Sequence, residues 1–205
     1  ASMYNKPLAQ VAVKELLQNS FDAVKARINL TDNKGLGNIK LRMNSKTRTI
    51  SIEDDGIGMT PEIVKNAFLK IGGTNKEGLS TAERSGGLGL AKVQSLMGSE
   101  SVSISTIRDG IYTSINATRE QLFNDDFEIH TEVTSLPNGT FVEVKIPANY
   151  KTPEGIEKDI DFPGEWRWKR DSENNMLPAW NYYDILTKPL VGNVELTSEF
   201  TDNYE

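Results

Sequence analysis

Glu15, Asn19 and Asp22 are three oxygen-bearing side chains on one short stretch of sequence. At about 100° per residue in a helix they fall within roughly 60° of one another and share one stripe. That stripe lies opposite the apolar positions and is bordered by Ala12, Ala23 and Ala26. Alone it reads as an ordinary solvated helix face. Two later segments give it another reading. Glu53-Asp54-Asp55-Gly56-Ile57-Gly58-Met59 places carboxylates at the end of a strand, and its alternating glycines let backbone approach a flat ligand closely. Ser85-Gly86-Gly87-Leu88-Gly89-Leu90-Ala91-Lys92 is a glycine-rich loop running into a helix, a junction that offers free amides and a positive dipole end to phosphates. It is not a Walker A loop, because no Gly-Lys-Ser/Thr follows, and the strand–helix context of a dinucleotide fold is missing.

The elements that must hold these residues are legible from periodicity. Residues 8–28 read as a long helix with Val13, Leu16, Leu17, Phe21, Val24 and Ile28 on one face. Asn38 to Asn44 alternates, with Ile39, Leu41 and Met43 on one side. A polar turn over Ser45 to Arg48 then leads to Ile50 and Ile52, which together predicts a hairpin. Thr60-Pro61 starts a helix that carries Ile63, Ala67 and Phe68 inward until Gly72-Gly73 stops it. Residues 73–87 read as a loop with a capping box at Ser80 to Glu83, and a helix follows from about Leu88 to Met97, ended by Gly98. The period then changes to two. Ser101–Ile107 and Ile111–Ala117 flank Asp109-Gly110, a hairpin turn. Glu128–Val133 and Thr140–Ile146 flank Pro137-Asn138-Gly139 and predict a second hairpin. This order predicts an α/β (α+β) two-layer sandwich, one mostly antiparallel mixed sheet with helices on one face.

Composition narrows the chemistry. The 205 residues suit one domain with an appendage, and 37% hydrophobic with 25% charged residues is ordinary for a water-exposed globular chain. Cysteine is absent, so disulfides, thiolate metal sites and cysteine nucleophiles are excluded. A single His130, in strand-like sequence, rules out sites that need two histidines. No run approaches the ~18 apolar residues of a membrane span, and Ala1-Ser2 before Met3 reads as a cloning remnant instead of a leader, so a cytoplasmic location is expected. Residues 1–150 balance 17 basic against 17 acidic groups, while residues 151–205 hold 6 against 12 and carry the whole net charge of -6. Neither part is the basic surface that direct nucleic-acid binding demands. Residues 151–205, with Trp166, Trp168, Trp180 and four prolines, read as an acidic extension of unassigned fold after a domain at 1–150. That extension either packs on the domain or begins another.

In this order the segments resemble the Bergerat-fold ATPases of the GHKL superfamily, which include gyrase-type topoisomerases, the large heat-shock chaperones, MutL-type and MORC-type ATPases and histidine kinases. Glu15-Leu16-Leu17-Gln18-Asn19-Ser20-Phe21-Asp22-Ala23 resembles the N box, and Asp54-Asp55-Gly56-Ile57-Gly58-Met59 the adenine-binding glycine box. Gly72-Gly73-Thr74-Asn75-Lys76 is similar to the start of the ATP lid, and Gly86 to Ala91 to the second glycine box. Asn138-Gly139-Thr140, followed by Phe141-Val142-Glu143-Val144, is similar to the late strand whose threonine backs the adenine site. The match runs over about residues 8–147. Asp22-Ala23 after the N-box Asn is similar to the chaperone and MutL-like branches, where histidine kinases have a basic or aromatic pair.

The resemblance implies ATP or ADP as ligand, Mg²⁺ as cofactor and a slow ATPase that works as a conformational clamp in a larger protein. Glu15 would be the general base orienting water, and Asn19 would bind Mg²⁺ through its amide oxygen, sufficient because magnesium keeps its waters and phosphates. Asp54 would accept from the adenine amino group with Thr140 beside it, and Gly56, Gly58 and Met59 would line the base pocket. Lys76 and the loop of Gly86, Gly87, Leu88, Gly89 and Leu90 would meet phosphates. Asp22, with Ala23 next to it, would organise the pocket by hydrogen bonding. The family commonly completes its site by ATP-driven homodimerisation and with further domains, which lie outside this chain. Three rivals stand against this reading: a nucleotide sensor with negligible turnover, a histidine-kinase catalytic domain, and an interaction domain that binds no nucleotide. An intact Glu15 opposes the first, Asp22-Ala23 the second and five ordered motifs the third. The client process is not written in an ATP site.

Overall fold

The computed structural model describes residues 8–30, 37–72, 100–124, 126–152, 154–160, 162, 169–170, 176–177 and 194–201. The loop and helix expected over 73–97, with the capping box at Ser80 and the glycines at 86, 87 and 89, lie outside them. So do all three tryptophans.

Helix α1 (Leu8–Leu30) buries Val13, Leu16, Leu17 and Val24, as its apolar spacing requires, with Phe21 and Ile28 partly covered. It packs on strands β1 (Gly37–Asn44) and β2 (Thr49–Asp54). Helix α2 (Pro61–Gly72) starts as predicted, with the Ile63 N–H donating to Thr60 Oγ1 at 3.2 Å. Its buried anchor is Val64, one residue from the expected Ile63, which is half-buried. Strands β3 (Ser101–Arg108) and β4 (Ile111–Thr118) form the expected hairpin, turned through Asp109 and Gly110 at φ 51° and 81°. A short helix α3 (Arg119–Phe123) follows, closed by a capping box between Thr118 and Gln121 that the sequence reading did not anticipate.

The second predicted hairpin does not form. Strand β5 (His130–Val133) pairs with β4, whereas β6 (Gly139–Lys145) inserts between β2 and β3 and is antiparallel to both. The physical reason is burial. Strand β6 sets Val142 and Val144 into the core, while all four residues of β5 are exposed and belong at an edge.

Among the described residues the main sheet has the order β11-β1-β2-β6-β3-β4-β5, where β11 spans Val194–Thr201. The β11–β1 pair is parallel and the rest antiparallel, so the sheet is mixed with helices against it, an α/β fold as predicted. Register aligns the inward side chains into rows. Met43, Ile50, Val144, Val102 and Ala117 form one, and Leu41, Ile52, Val142, Ile104 and Ile115 the next. Both are buried against the α1 side chains in one core. The third row is Ile39, Asp54, Thr140, Thr106 and Thr113. The same face therefore passes from hydrocarbon to a carboxylate and three hydroxyls.

Parts of the 151–205 segment join this frame. Strands β7 (Asn149–Lys151) and β8 (Glu157–Asp159) pair with each other, and Ile160 and Phe162 enter the main core. Arg48, at φ 54° in the β1–β2 turn, fastens them. Its guanidinium donates to the carbonyls of Ile146 (3.0 Å), Pro147 (3.0 Å) and Ile160 (2.6 Å), and lies 5.6 Å above the Phe162 ring. Two short strands, β9 (Lys169–Arg170) and β10 (Met176–Leu177), pair separately. No described helix is long and apolar enough to cross a membrane.

Candidate nucleotide site

Asp54 ends β2 with only 7% of its surface exposed. An inward position buries it, yet it is not left without partners. Its Oδ1 accepts the Gly56 N–H at 2.9 Å, and the Ser20 hydroxyl and Thr140 N–H also donate to it. Desolvation nevertheless dominates and raises its pKa from 3.8 to about 7, with the neighbouring Asp55 charge adding to the rise and the hydrogen bonds opposing it. A buried acceptor ringed by donors is suited to reading an N–H group on a ligand.

The turn after Asp54 is pinned from both sides. The Ile57 N–H donates to the Ala23 carbonyl of α1 at 2.9 Å. Arg27 donates through Nε to the Asp55 carbonyl (2.5 Å), with Nη2 3.5 Å from Asp55 Oδ1. Asn38 donates its N–H (2.8 Å) and its Nδ2 (2.9 Å) to the same carboxylate. The glycines also answer to packing within the protein itself. A Cβ on Gly56 would sit 2.6 Å from the Ala23 carbonyl carbon, and one on Gly58 would sit 1.9 Å from the Ile107 oxygen, at φ 74°. Gly139 has the same function toward the Asp54 carbonyl, at 2.6 Å.

Beside Asp54 stand three hydroxyl-linked segments. The Met59 N–H donates to Thr106 Oγ1 (2.9 Å), which donates in turn to the Gly139 carbonyl (3.1 Å) and lies 2.9 Å from Thr140 Oγ1. Thr106 is 1% exposed, while Thr140 is half-buried. On α1, Glu15 and Asn19 are half-buried, and Asp22 is exposed and accepts from Gln18 Nε2 at 3.1 Å. The stripe is therefore partly covered instead of being a fully solvated face.

The structure thus brings Asp54, Gly56, Gly58, Met59, Thr140 and the Ala23 backbone together, with Glu15 and Asn19 on the same helix. Lys76, Gly86, Gly87, Leu88, Gly89 and Leu90 lie outside the described residues. Sequence reasoning missed Ser20 and Thr106. Each is a polar residue at a position where the local period demands an apolar one: Ser20 lies four residues from Leu16 and from Val24, and Thr106 continues Val102 and Ile104. His130 opens β5, exposed and 3.4 Å from Glu132, as an ordinary strand residue.

The buried carboxylate at the end of β2 and the glycine turn clamped on α1 lie inside a segment that a family model matches. The family model described as histidine kinase-, DNA gyrase B- and HSP90-like ATPase matches residues 7–146, and the chain belongs to that family. It is 25% identical over 200 residues to the chaperone protein HtpG of Bdellovibrio bacteriovorus, covering 88% of this chain and 29% of the relative. Against HtpG of Mycobacterium tuberculosis it is 27% identical over 202 residues, covering 89% and 29%. The chain thus spans less than a third of the length of these relatives. Among solved structures it is similar to the Aquifex aeolicus MutL ATPase domain complexed with ADP, at 20% identity and TM-score 0.41 over 68% of this chain and 42% of that one.

Proposed function

We propose that this chain is the Mg²⁺-dependent ATP-binding and slowly hydrolysing part of a larger cytoplasmic protein, in which ATP acts as a conformational clamp. The observation that carries this is Asp54, buried among donors at the end of β2 with Thr140 in register beside it. A carboxylate there accepts from the 6-amino group of adenine. Guanine, with an oxygen at that position, meets an acceptor with an acceptor. Glu15 serves as the base that orients water and Asn19 as the magnesium ligand. Among the described residues no group of three or more His, Asp or Glu side chains is placed to hold a metal, so a metal here depends on few protein ligands. An amide oxygen on a half-buried helix face fits magnesium, a hard ion that keeps its waters and phosphates. Bound there, the ion would neutralise phosphate charge, while Asn19 would fix its side of the site and Glu15 would accept a proton from water.

Titration calorimetry tests the reading. Wild type binds ATP well above GTP, and Asp54→Asn weakens ATP binding by about 1.5–3 kcal/mol, the worth of a lost charge-assisted bond. Equal affinity of the wild type for ATP and GTP would remove the assignment of Asp54.

A further inference from the structure

Thr106 has a single hydroxyl proton and three neighbours. The Met59 N–H occupies one of its lone pairs at 2.9 Å. The Gly139 carbonyl, 3.1 Å away, can only accept, so that contact takes the Thr106 proton. The remaining contact, 2.9 Å to Thr140 Oγ1, then has one consistent polarity: Thr140 donates and Thr106 accepts. With its proton turned inward, the half-buried Thr140 offers only lone pairs to whatever lies above it. Asp54, its cross-strand partner, offers only lone pairs as well once ionised, at a pH above about 7, where the comparison below is made.

We infer that Thr106 is a specificity-determining positioning residue: by fixing Thr140 as an acceptor, it makes the pocket read an exocyclic amino group twice, through Asp54 and through Thr140. The inference rests on the reading of these two residues as the base site. An amino group has two N–H donors for two acceptors, whereas a 6-oxo base presents an oxygen to both. Rejection of 6-oxo purines is then built partly into a residue that touches no nucleotide. Released from Thr106, the Thr140 hydroxyl is free to rotate and donate to an oxo group.

ATP and ITP are the probes, because inosine replaces the adenine amino group with an oxygen and leaves the N–H it adds at N1 as the accompanying change. Calorimetry on the full chain compares wild type, Thr106→Val, Thr106→Ser and Asp54→Asn. Thr106→Val is expected to bring the ATP/ITP affinity ratio down about tenfold, the scale of one hydrogen bond, with ITP binding gained in absolute terms. Thr106→Ser should keep the wild-type ratio. Loss of packing alone, including the freed Met59 N–H, would weaken both nucleotides alike, so a parallel loss at unchanged ratio overturns the inference. Thr113→Val controls for changes in this row, since Thr113 Oγ1 is buried without a hydrogen-bond partner among the described residues, and should leave the ratio alone. Thr106→Ala, which removes the hydroxyl with less bulk, carries the same expectation should the valine variant not fold. If Asp54→Asn collapses the ratio and neither Thr106→Val nor Thr106→Ala does, only this inference fails. A wild type that binds ATP and ITP equally overturns it together with the base-site reading.

Discussion

At Asp54, burial and hydrogen bonding pull in opposite directions, and burial wins. The folded carboxyl titrates near 7, and the unfolded one near 3.8. Between those values the folded chain holds a proton that the unfolded chain has released. By linkage, stability therefore falls as pH rises through that window and levels off above it. Asp54→Asn keeps an oxygen for the Gly56 N–H but has no charge to bury. It is expected to melt close to wild type at pH 4 and clearly above it at pH 8, measured without nucleotide. The same melting-temperature difference at both pH values would show that Asp54 does not titrate in this range. The site's polar residues share a signal that the sequence displays. Asp54 follows Ile50 and Ile52, Thr140 precedes Val142 and Val144, and Ser20 interrupts the apolar face of α1. Each sits on an inward phase. Asp54 and Thr140 are legible because the motifs they lie in imply a role for them, whereas Ser20, in a motif that implies none for it, and Thr106, in no motif, are hidden because a hydroxyl on an apolar stripe costs little when it is bonded. What periodicity cannot display is the partner, since Thr106 meets Met59 and Gly139 only after three separate segments are assembled.

The turn between β2 and α2 shows the same division among elements. Its glycines are plain in the sequence, but their reason is not, because the atoms they make room for belong to α1 and β3. If Gly56 served only a ligand, Gly56→Ala would leave the nucleotide-free protein as stable as wild type. The α1 backbone 2.6 Å from the added Cβ predicts otherwise. Helix backbone cannot step aside as a side chain can, so α1 must shift and the Ile57–Ala23 hydrogen bond must lengthen. The expected cost is about 1–3 kcal/mol, the usual range for an overpacked site. Denaturant melts of the apo chain measure it, and an unchanged midpoint would return Gly56 to the ligand. Most elements were legible from period alone: α1, α2, and the hairpins β1–β2 and β3–β4. The pairing of β5 and β6 was not, because turn residues between two strands do not say that a third strand will take the inner place. That choice is made by Val142 and Val144, which find apolar neighbours on both sides only between β2 and β3. The chain edge β11, some 150 residues from its partner β1, is likewise a long-range pairing that no local pattern announces.

Across the whole molecule, four of the cations among the described residues are engaged within the protein itself. Arg27 holds Asp55, Arg48 holds three carbonyls, Arg42 lies 3.6 Å from Glu53, and Lys145 lies 3.4 Å from Glu100. Transfer of a phosphoryl group depends on positioning and charge stabilisation, and a cation supplied at the γ-phosphate is worth about 10³–10⁵ in rate. Lys76 and Arg84, two cations of the segment that resembles the family's lid, fall outside the described part; with the chain spanning 29% of its HtpG relatives, the proposed source of that cation is a further domain or a second copy. The isolated chain is therefore expected to bind ATP, to hydrolyse it slowly, and to sediment as a monomer without nucleotide. A non-hydrolysable ATP analogue should shift it toward a dimer, and turnover per chain should rise with protein concentration as the site is completed. Within that slow rate, Glu15→Ala should leave ATP affinity nearly intact and lower hydrolysis by about 10²–10⁴-fold, the worth of a positioned base. Steady-state assays over a concentration series, paired with sedimentation, decide the matter. Fast turnover by the monomer, independent of concentration, would place the catalytic cation within this chain, and Lys76→Ala would then be the variant that identifies it.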